Sequence, residues 1–329
     1  MKTSVIITSF NVERHVATAI HSVIDARLEG CEIIVVDDGS TDMTRAIITQ
    51  IARMDLRNAQ LVPVFFSRNT KGGVGSAANI GLDLARGEII LFVDGDDWVN
   101  PPDLRAAVEH LASSTSDFVV TDATEYNNQT GARTKYPEGD LWQALLGETD
   151  AHARKRLLLR MAPMPWRKIY RRDFLERNRI RFPVGDFYFE DNPFHWQVTT
   201  RAEDFDVLPV ETHIHRLHRA GQTTAHAGGG FLKIFAHFDI IHAELSTRDQ
   251  LAPYRDELAA WLVRHVIWCG DRIPPGWLND VFDNARDRLA LFSDDTLRAA
   301  MRQGNLSPRD MRRLTAILLG RRLDYLREF

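Results

Sequence analysis

Cysteine is scarce. The chain has two, Cys31 and Cys269, in 329 residues. That is too few for a disulfide framework, and their spacing is wrong for a zinc site, so a reducing compartment is expected. Long apolar runs are missing too. No stretch approaches the ~18 residues of a membrane-spanning helix. The leading run, Val5-Ile6-Ile7, gives way to polar residues too soon for a signal-peptide core. The expected location is therefore cytoplasmic. A global basic field is also absent: the formal net charge is −4, so nucleic acid is not an expected partner. No Gly-Lys-Ser/Thr run occurs, which excludes a Walker phosphate loop. Internal repeats and low-complexity tracts are absent.

What remains is a globular composition, 44% hydrophobic and 26% charged, on a chain long enough for two domains. Arg and Lys concentrate between Arg154 and Arg181 and again between Arg302 and Arg327. Each stretch is either a solvated helix face or a surface for an anionic acceptor or a membrane.

The hydrophobic pattern alternates between short β-branched runs and helical spacing. Strands are expected at 3–9, 32–36, 60–66, 88–93 and 117–121. Helices are expected at 12–27, 43–54 and 76–86, the last ending on Gly87, and another from Pro101-Pro102. A Gly-rich loop falls at 71–75. Residues 127–140 read as turns, and 150–182 as basic helix interrupted by Pro163 and Pro165. From Gly230 onward the signals are helical. Leu258, Leu262 and Val266 recur at helical spacing, as do Leu314, Ile317 and Leu318. This order implies an α/β fold with a largely parallel sheet, in residues 1–228, followed by a helical region, 229–329. In such sheets ligands bind at the carboxyl ends of the strands, where both Asp37-Asp38 and Asp94-Gly95-Asp96-Asp97 fall.

Asp94, Asp96 and Asp97 are the sharpest chemical signal. Three carboxylates within four residues repel one another, increasingly so as water is excluded, and a cation relieves the repulsion. Hard oxygen ligands favour Mn²⁺ or Mg²⁺, ions that bind pyrophosphate. A solvated turn capping the next helix is the plain alternative. Thr8-Ser9-Phe10-Asn11 and Asp38 close the first two strands, where side chains either contact a nucleoside or cap helices and turns. Gly73-Val74-Gly75-Ser76-Ala77-Ala78 spells a dinucleotide fingerprint, but it belongs to the third strand-helix unit and follows too long a loop. Glu190 and Asp191, among Phe187, Tyr188, Phe189 and Phe194, form a second acidic site whose aromatic surroundings favour a raised carboxyl pKa. The local alternative is a helix start, with Asp191 as cap and Pro193 near the first turn. His213, His215, Arg216, His218 and Arg219 read as a loop that meets diphosphate or lies exposed, with His218 as a further metal candidate.

Together, SVIITSFNVERHVATAIHSV, EIIVVDDGSTD, GGVGSAANIGLDLARGEIILFVDGDDWVNP and FYFEDNPF resemble the family 2 glycosyltransferases of the GT-A fold, as found in bacterial surface-polysaccharide synthesis. The resemblance covers roughly residues 1–225. It implies a nucleotide-diphospho-sugar donor, a UDP-sugar first, a divalent metal on a D-x-D motif, and inverting transfer to a hydroxyl of a glycan or lipid-linked acceptor. Asp94, Gly95, Asp96 and Asp97 match the D-x-D region. Asp38 matches the acid that contacts the nucleotide base, Thr8, Phe10 and Glu13 lie in the first donor loop, and Asp191 matches the catalytic base. The family's Ala-Arg-Asn is here Ala77-Ala78-Asn79, without the arginine, and Gly73 and Asn79 stand on the donor side. Glu190, Trp166, Lys168 and Tyr188 are acceptor-side candidates. The helical tail is expected to stabilise the fold, to self-associate, or to dock an acceptor at the inner face of a membrane. Two rival readings stand beside this one, a metal-dependent nucleotidyltransferase and a non-catalytic scaffold that binds nucleotide-sugar.

Overall fold

The computed structural model describes residues 2–56, 59–70, 73–185, 188–218 and 228–329. The first two residues of the expected Gly-rich loop, 71 and 72, and the expectations placed on Phe187 and Arg219 lie outside these. The chain divides into two units, Met1–Gln222 and Thr223–Phe329. Among the described residues no helix is long and apolar enough to cross a membrane.

The first unit is built on strands β1 (Thr3–Ser9), β2 (Cys31–Asp37), β3 (Ala59–Phe65), β4 (Ile89–Asp94), β5 (Trp98–Val99), β6 (Phe118–Asn127), β7 (Arg133–Lys135), β8 (Lys168–Arg171) and β9 (Phe205–Leu217). Its helices are α1 (Val16–Asp25), α2 (Thr44–Ala52), α3 (Gly73–Leu84), α4 (Pro101–Ser113), α5 (Gly139–Gly147), α6 (Ala151–Arg160), α7 (Arg172–Arg177) and α8 (Asp191–Arg201). The sheet order is β3-β2-β1-β4-β8-β6-β9-β5, with β7 on β6. Strands β3, β2, β1 and β4 are mutually parallel, whereas β8 is antiparallel to both of its neighbours. Every residue of β1 and β2 is buried, as strands covered on both faces require. One face carries Val16, Ile20, Ile48 and Leu104 from α1, α2 and α4. The other carries Ala77, Leu82, Leu158 and Phe194 from α3, α6 and α8.

Because the chain runs outward from β1 to β3 and then returns to β4, the order reverses between β1 and β4. That is the topological switch point at which open parallel sheets bind ligands. The register puts Thr8 beside Asp94 on one side and Ser9 beside Asp37 on the other.

Several local expectations change. Helix α1 begins at Val16, because Val12 to His15 form a tight turn closed by His15 N–H to Val12 C=O. Helix α3 begins at Gly73, inside the expected loop, and ends at Leu84. Gly87 is not its left-handed terminator: a Cβ there would lie 2.5 Å from Ser4 N, so glycine permits close approach to β1. Its N–H donates to Ser4 Oγ, which donates to the buried Glu32 carboxylate. Residues 150–182 are not all helix, since the short β8 sits within them between β4 and β6. The stretch read as turns, 127–140, holds β7 and the start of α5, and β9 replaces an expected loop.

The second unit contains α9 (Lys233–Thr247), α10 (Arg255–Gly270), α11 (Leu278–Leu289), α12 (Asp294–Gln303), α13 (Pro308–Leu318) and α14 (Arg322–Leu326). Leu258, Leu262, Val266, Leu314 and Ile317 are buried as their spacing predicts, but Leu318 is exposed.

Helix α3 lies so close to β1 that a Cβ on Gly81 would run into Ile6 Cγ2. Gly81→Ala gains about 1 kcal/mol of helix propensity but incurs an overpacking cost of about 1–3 kcal/mol. The expected result is a lower urea midpoint for unfolding. An unchanged or higher midpoint would show that α3 can lift away from β1.

Candidate donor and acid-pair site

Asp94 ends β4, and the chain turns at once: Gly95 N–H donates to Thr8 C=O at 2.8 Å and Asp97 N–H to Asp94 C=O at 3.0 Å. A side chain at Gly95 would meet Thr8 O at 2.8 Å, so glycine is needed for the turn to close on β1. Thr8 Oγ1 donates to Asp94 Oδ1 at 3.5 Å. Asp94 and Asp96 are half-buried and Asp97 is 1% exposed.

The acids of this turn differ in their surroundings. Asp97 is fully compensated by β9. Its Oδ2 pairs with His213 Nε2 at 3.1 Å and His215 Nδ1 at 3.0 Å, and its Oδ1 accepts the Arg216 N–H at 2.7 Å. Burial opposes its charge, but the two imidazoles hold its carboxyl well below the ordinary range. Among the described residues Asp94 has only the Thr8 hydroxyl and the charge of His215 to offset its own. Burial first, then repulsion from Asp97 and Asp96, pushes it up to about 8. Arg216 fastens the same turn from outside, with Nε on Asp96 C=O at 2.7 Å and its guanidinium over the rings of Trp98 and Tyr126. The histidines expected on a loop are therefore strand residues. His213 is buried, and His218 closes β9, exposed and left-handed at φ 59°.

Glu190 and Asp191 open α8. Glu190 is the cap and Asp191 the first helical residue, one position later than expected, with Pro193 at the third. Burial raises Glu190 to about 7. Burial, then the charges of Glu190 and Asp94, raise Asp191 well above the ordinary carboxylate range. Asp94, Glu190 and Asp191 thus converge within electrostatic reach, although they come from separate elements. Lys168, 2% exposed, lies near enough to oppose the shift of Asp191. Its Nζ donates to Met164 C=O at 2.9 Å, and burial brings its own pKa down to about 7. Tyr188 is half-buried next to Phe189, which adopts φ 66°. Non-glycine residues in this conformation carry strain on the order of 1 kcal/mol or more and concentrate at functional sites.

The other expected residues are placed as follows. Asp38 Oδ1 accepts from Thr70 N–H and Oγ1, both at 2.9 Å, and Oδ2 from Asn69 Nδ2 at 2.9 Å, so it anchors the loop after β3. Its neighbour Asp37 is structural, held by Ser40 and Arg45. Glu13 Oε2 accepts Met43 N–H at 2.9 Å, capping α2. Phe10 is exposed. Gly73 starts α3 in open space. Asn79 is engaged with the backbone of Phe182 at 2.9 and 3.0 Å. Trp166 is 6% exposed and stacks on His213 and His215 at 4.2 and 5.5 Å, so it is a platform for the histidines rather than an open acceptor surface. Sequence reasoning missed His213, His215 and Arg216 as holders of Asp97, and Gly75 as a neighbour of Glu190. The alternation His-x-His was the available signal for a strand.

Folding lifts His215 from 6.5 to about 9, against the cost of its burial, through its bond and charge pairing with Asp97. The protonated ring therefore stabilises the fold fully below pH 6.5 and loses this contribution as pH rises through 9. In metal-free protein, His215→Gln is expected to reduce the fall in Tm between pH 6.5 and 9. A variant with the parent's full fall would contradict the pairing.

The profile of "Glycosyl transferase family 2" matches residues 4–179. A putative glycosyltransferase of Bacillus subtilis (strain 168), EpsH, is 26% identical over 322 residues, covering 97% of this chain and 91% of that protein. The poly(ribitol-phosphate) beta-N-acetylglucosaminyltransferase TarS of Staphylococcus aureus (strain MW2) is 28% identical over 269 residues, 80% of this chain and 44% of that one. The crystal structure of S. aureus TarS 1–349 with UDP-GlcNAc superposes with a TM-score of 0.74 at 23% identity, over 100% of this chain and 90% of that chain. A Pyrobaculum calidifontis mannosyltransferase, PcManGT, solved with GDP-Man and Mn²⁺, gives 0.58 at 18%, over 99% and 87%. These structural likenesses show a shared GT-A fold. With more than half of its length matched by the family profile, the chain belongs to glycosyl transferase family 2 and is a glycosyltransferase that uses a nucleotide-sugar donor.

Proposed function

We propose that this enzyme moves a sugar, with inversion, from a UDP-sugar to a hydroxyl of a glycan or lipid-linked acceptor in surface-polysaccharide synthesis. The observation that carries the reading is the convergence of Asp94 with Glu190 and Asp191 beside the β1–β4 switch point. UDP-GlcNAc bound to TarS favours a uridine donor. Both cysteines are free and buried, which suits a reducing cytoplasm.

The residues present fit a divalent cation. Asp94 is a weakly compensated acid with hard oxygen atoms, and Asp96 stands two residues away on the same turn. Among the described residues no three His, Cys, Asp or Glu side chains form a complete site. We therefore assign Asp94 and Asp96 as the protein's ligands and give Asp97, whose oxygens are already engaged, the task of holding the turn. A divalent ion bound there supplies positive charge next to the departing diphosphate.

Asp191 is the general base in this reading. Its raised pKa makes its ionised form a stronger proton acceptor than an ordinary carboxylate. It takes the proton of the acceptor hydroxyl as the oxygen bonds to the anomeric carbon. The bond from that carbon to the diphosphate oxygen breaks on the opposite face, and its electron pair leaves with UDP. Single displacement inverts the configuration. Thr8, Phe10 and Asp38, at the ends of β1 and β2, are the proposed donor-side contacts, and Tyr188 the acceptor-side one.

The test is nucleotide release from a panel of UDP- and GDP-sugars, with Mn²⁺ or with EDTA. Release from a UDP-sugar that requires Mn²⁺ supports the reading. No release from any donor in the presence of acceptor glycans contradicts it. Asp191→Asn keeps the shape but removes basicity. It is expected to cut transfer by at least ~10²-fold while UDP affinity persists. Near-normal turnover would show that another group is the base.

A further inference from the structure

Helix α3 contains Asn79, a donor-side expectation whose side chain the fold uses for something else. The Asn79 amide pairs with both backbone groups of a single residue. Its Nδ2 donates to Phe182 C=O at 2.9 Å, and its Oδ1 accepts Phe182 N–H at 3.0 Å. This is the bonding of a strand neighbour, made by a side chain. Phe182 is buried, and its ring stacks on Phe194 at 4.0 Å with an interplanar angle of 1°. Phe194 lies in the first turn of α8, the helix that Asp191 begins.

Gly75 is four residues before Asn79, so the two share one face of α3. A Cβ on Gly75 would lie 3.0 Å from Glu190 Cγ, 3.3 Å from Phe182 Cβ and 3.4 Å from Pro183 O. Its backbone N–H lies near enough to the Glu190 carboxylate to favour the charged form. One face of one helix therefore touches the chain at Phe182 and again at Glu190. Before α3 in sequence, Asn69 and Thr70 are held by the Asp38 carboxylate. The same helix then packs on β1 so tightly that Gly81 has no room for a side chain.

We infer that the Gly75–Asn79 face of α3 is a positioning element for the transfer step: it sets Glu190 and Asp191 against the donor and does not itself bind the donor. This rests on the proposed glycosyl transfer and adds a role for residues that would otherwise be counted as donor contacts. Gly75 and Asn79 are positioning residues acting through Glu190 and Asp191. The physical lever is distance. A catalytic group displaced by about 1 Å loses up to ~10²-fold in rate. A methyl group at Gly75 requires Glu190 or Phe182 to give way by a few tenths of an ångström.

Two variants of the full chain test this, each measured for kcat and donor KM with the UDP-sugar that the parent uses, for UDP affinity with Mn²⁺ by calorimetry, and for Tm. Asn79→Ala is expected to lower kcat roughly 10- to 10²-fold with UDP affinity and donor KM near the parent's. Gly75→Ala leaves both Asn79 hydrogen bonds in place and favours the helix, so its Tm is expected to match or exceed the parent's while kcat falls by a smaller factor, as a shift of a few tenths of an ångström requires. A loss of stability alone does not produce that pairing. If Asn79→Ala does not fold, Gly75→Ala decides. Weakened UDP affinity with kcat preserved in either variant would make α3 a donor contact and overturn the inference, as would parent-like kcat in Gly75→Ala. A parent that neither binds UDP nor turns over any UDP-sugar would overturn the UDP-donor reading, a failure distinct from those of the two variants.

Discussion

Mutual repulsion of carboxylates at one edge of the sheet is the constraint on which the site depends. Asp94, Asp96, Asp97, Glu190 and Asp191 are drawn to the region where β1 and β4 diverge, and burial magnifies the cost of their charges. The protein relieves it unequally. Asp97 is given two imidazoles and a backbone N–H, so it stays ionised. Asp94, Glu190 and Asp191 are left with raised pKa values. In the proposed function this difference separates the acid that holds the turn from those that meet the metal and the acceptor proton.

The rest of the first unit places those groups. The parallel order β3-β2-β1-β4 brings Thr8 and Asp94 side by side. The antiparallel β8 lies on the far side of β4 and carries Lys168 toward Asp191. Strand β9 pairs with β6 and with the short β5, and its His213, His215 and Arg216 reach back to the Asp94–Asp97 turn. Helix α3 braces the opposite wall at Phe182 and Glu190. Acids separated widely in sequence are thereby held by neighbours equally distant in sequence.

The parallel half of the sheet was legible because its strands are short, β-branched and buried on both faces, a pattern that needs no partner to be recognised. The acids at the ends of β2 and β4 were legible for the same reason: topology puts them on one edge. Strand β8 was hidden in a basic stretch, since the four residues KIYR carry no periodicity of their own. Strand β9 was hidden because Thr212 and His213 are polar yet buried. What makes them acceptable there, Thr121 at 2.6 Å and Asp97 at 3.1 Å, lies about a hundred residues away. Asn79 and Trp166 show the same limit. Their residue types fit a ligand site, but tertiary partners take up the amide of one and the ring of the other.

In the proposed function Asp94, weakly compensated among neighbouring acids, is completed by a divalent cation together with the nucleotide diphosphate. Calorimetric titration of UDP into the full chain tests it most directly, with Mn²⁺, with EDTA, and with Asp94→Asn in Mn²⁺. Tight binding with Mn²⁺ that is lost in EDTA and weakened in Asp94→Asn is the predicted result. Equal UDP affinity in Mn²⁺ and EDTA would contradict it.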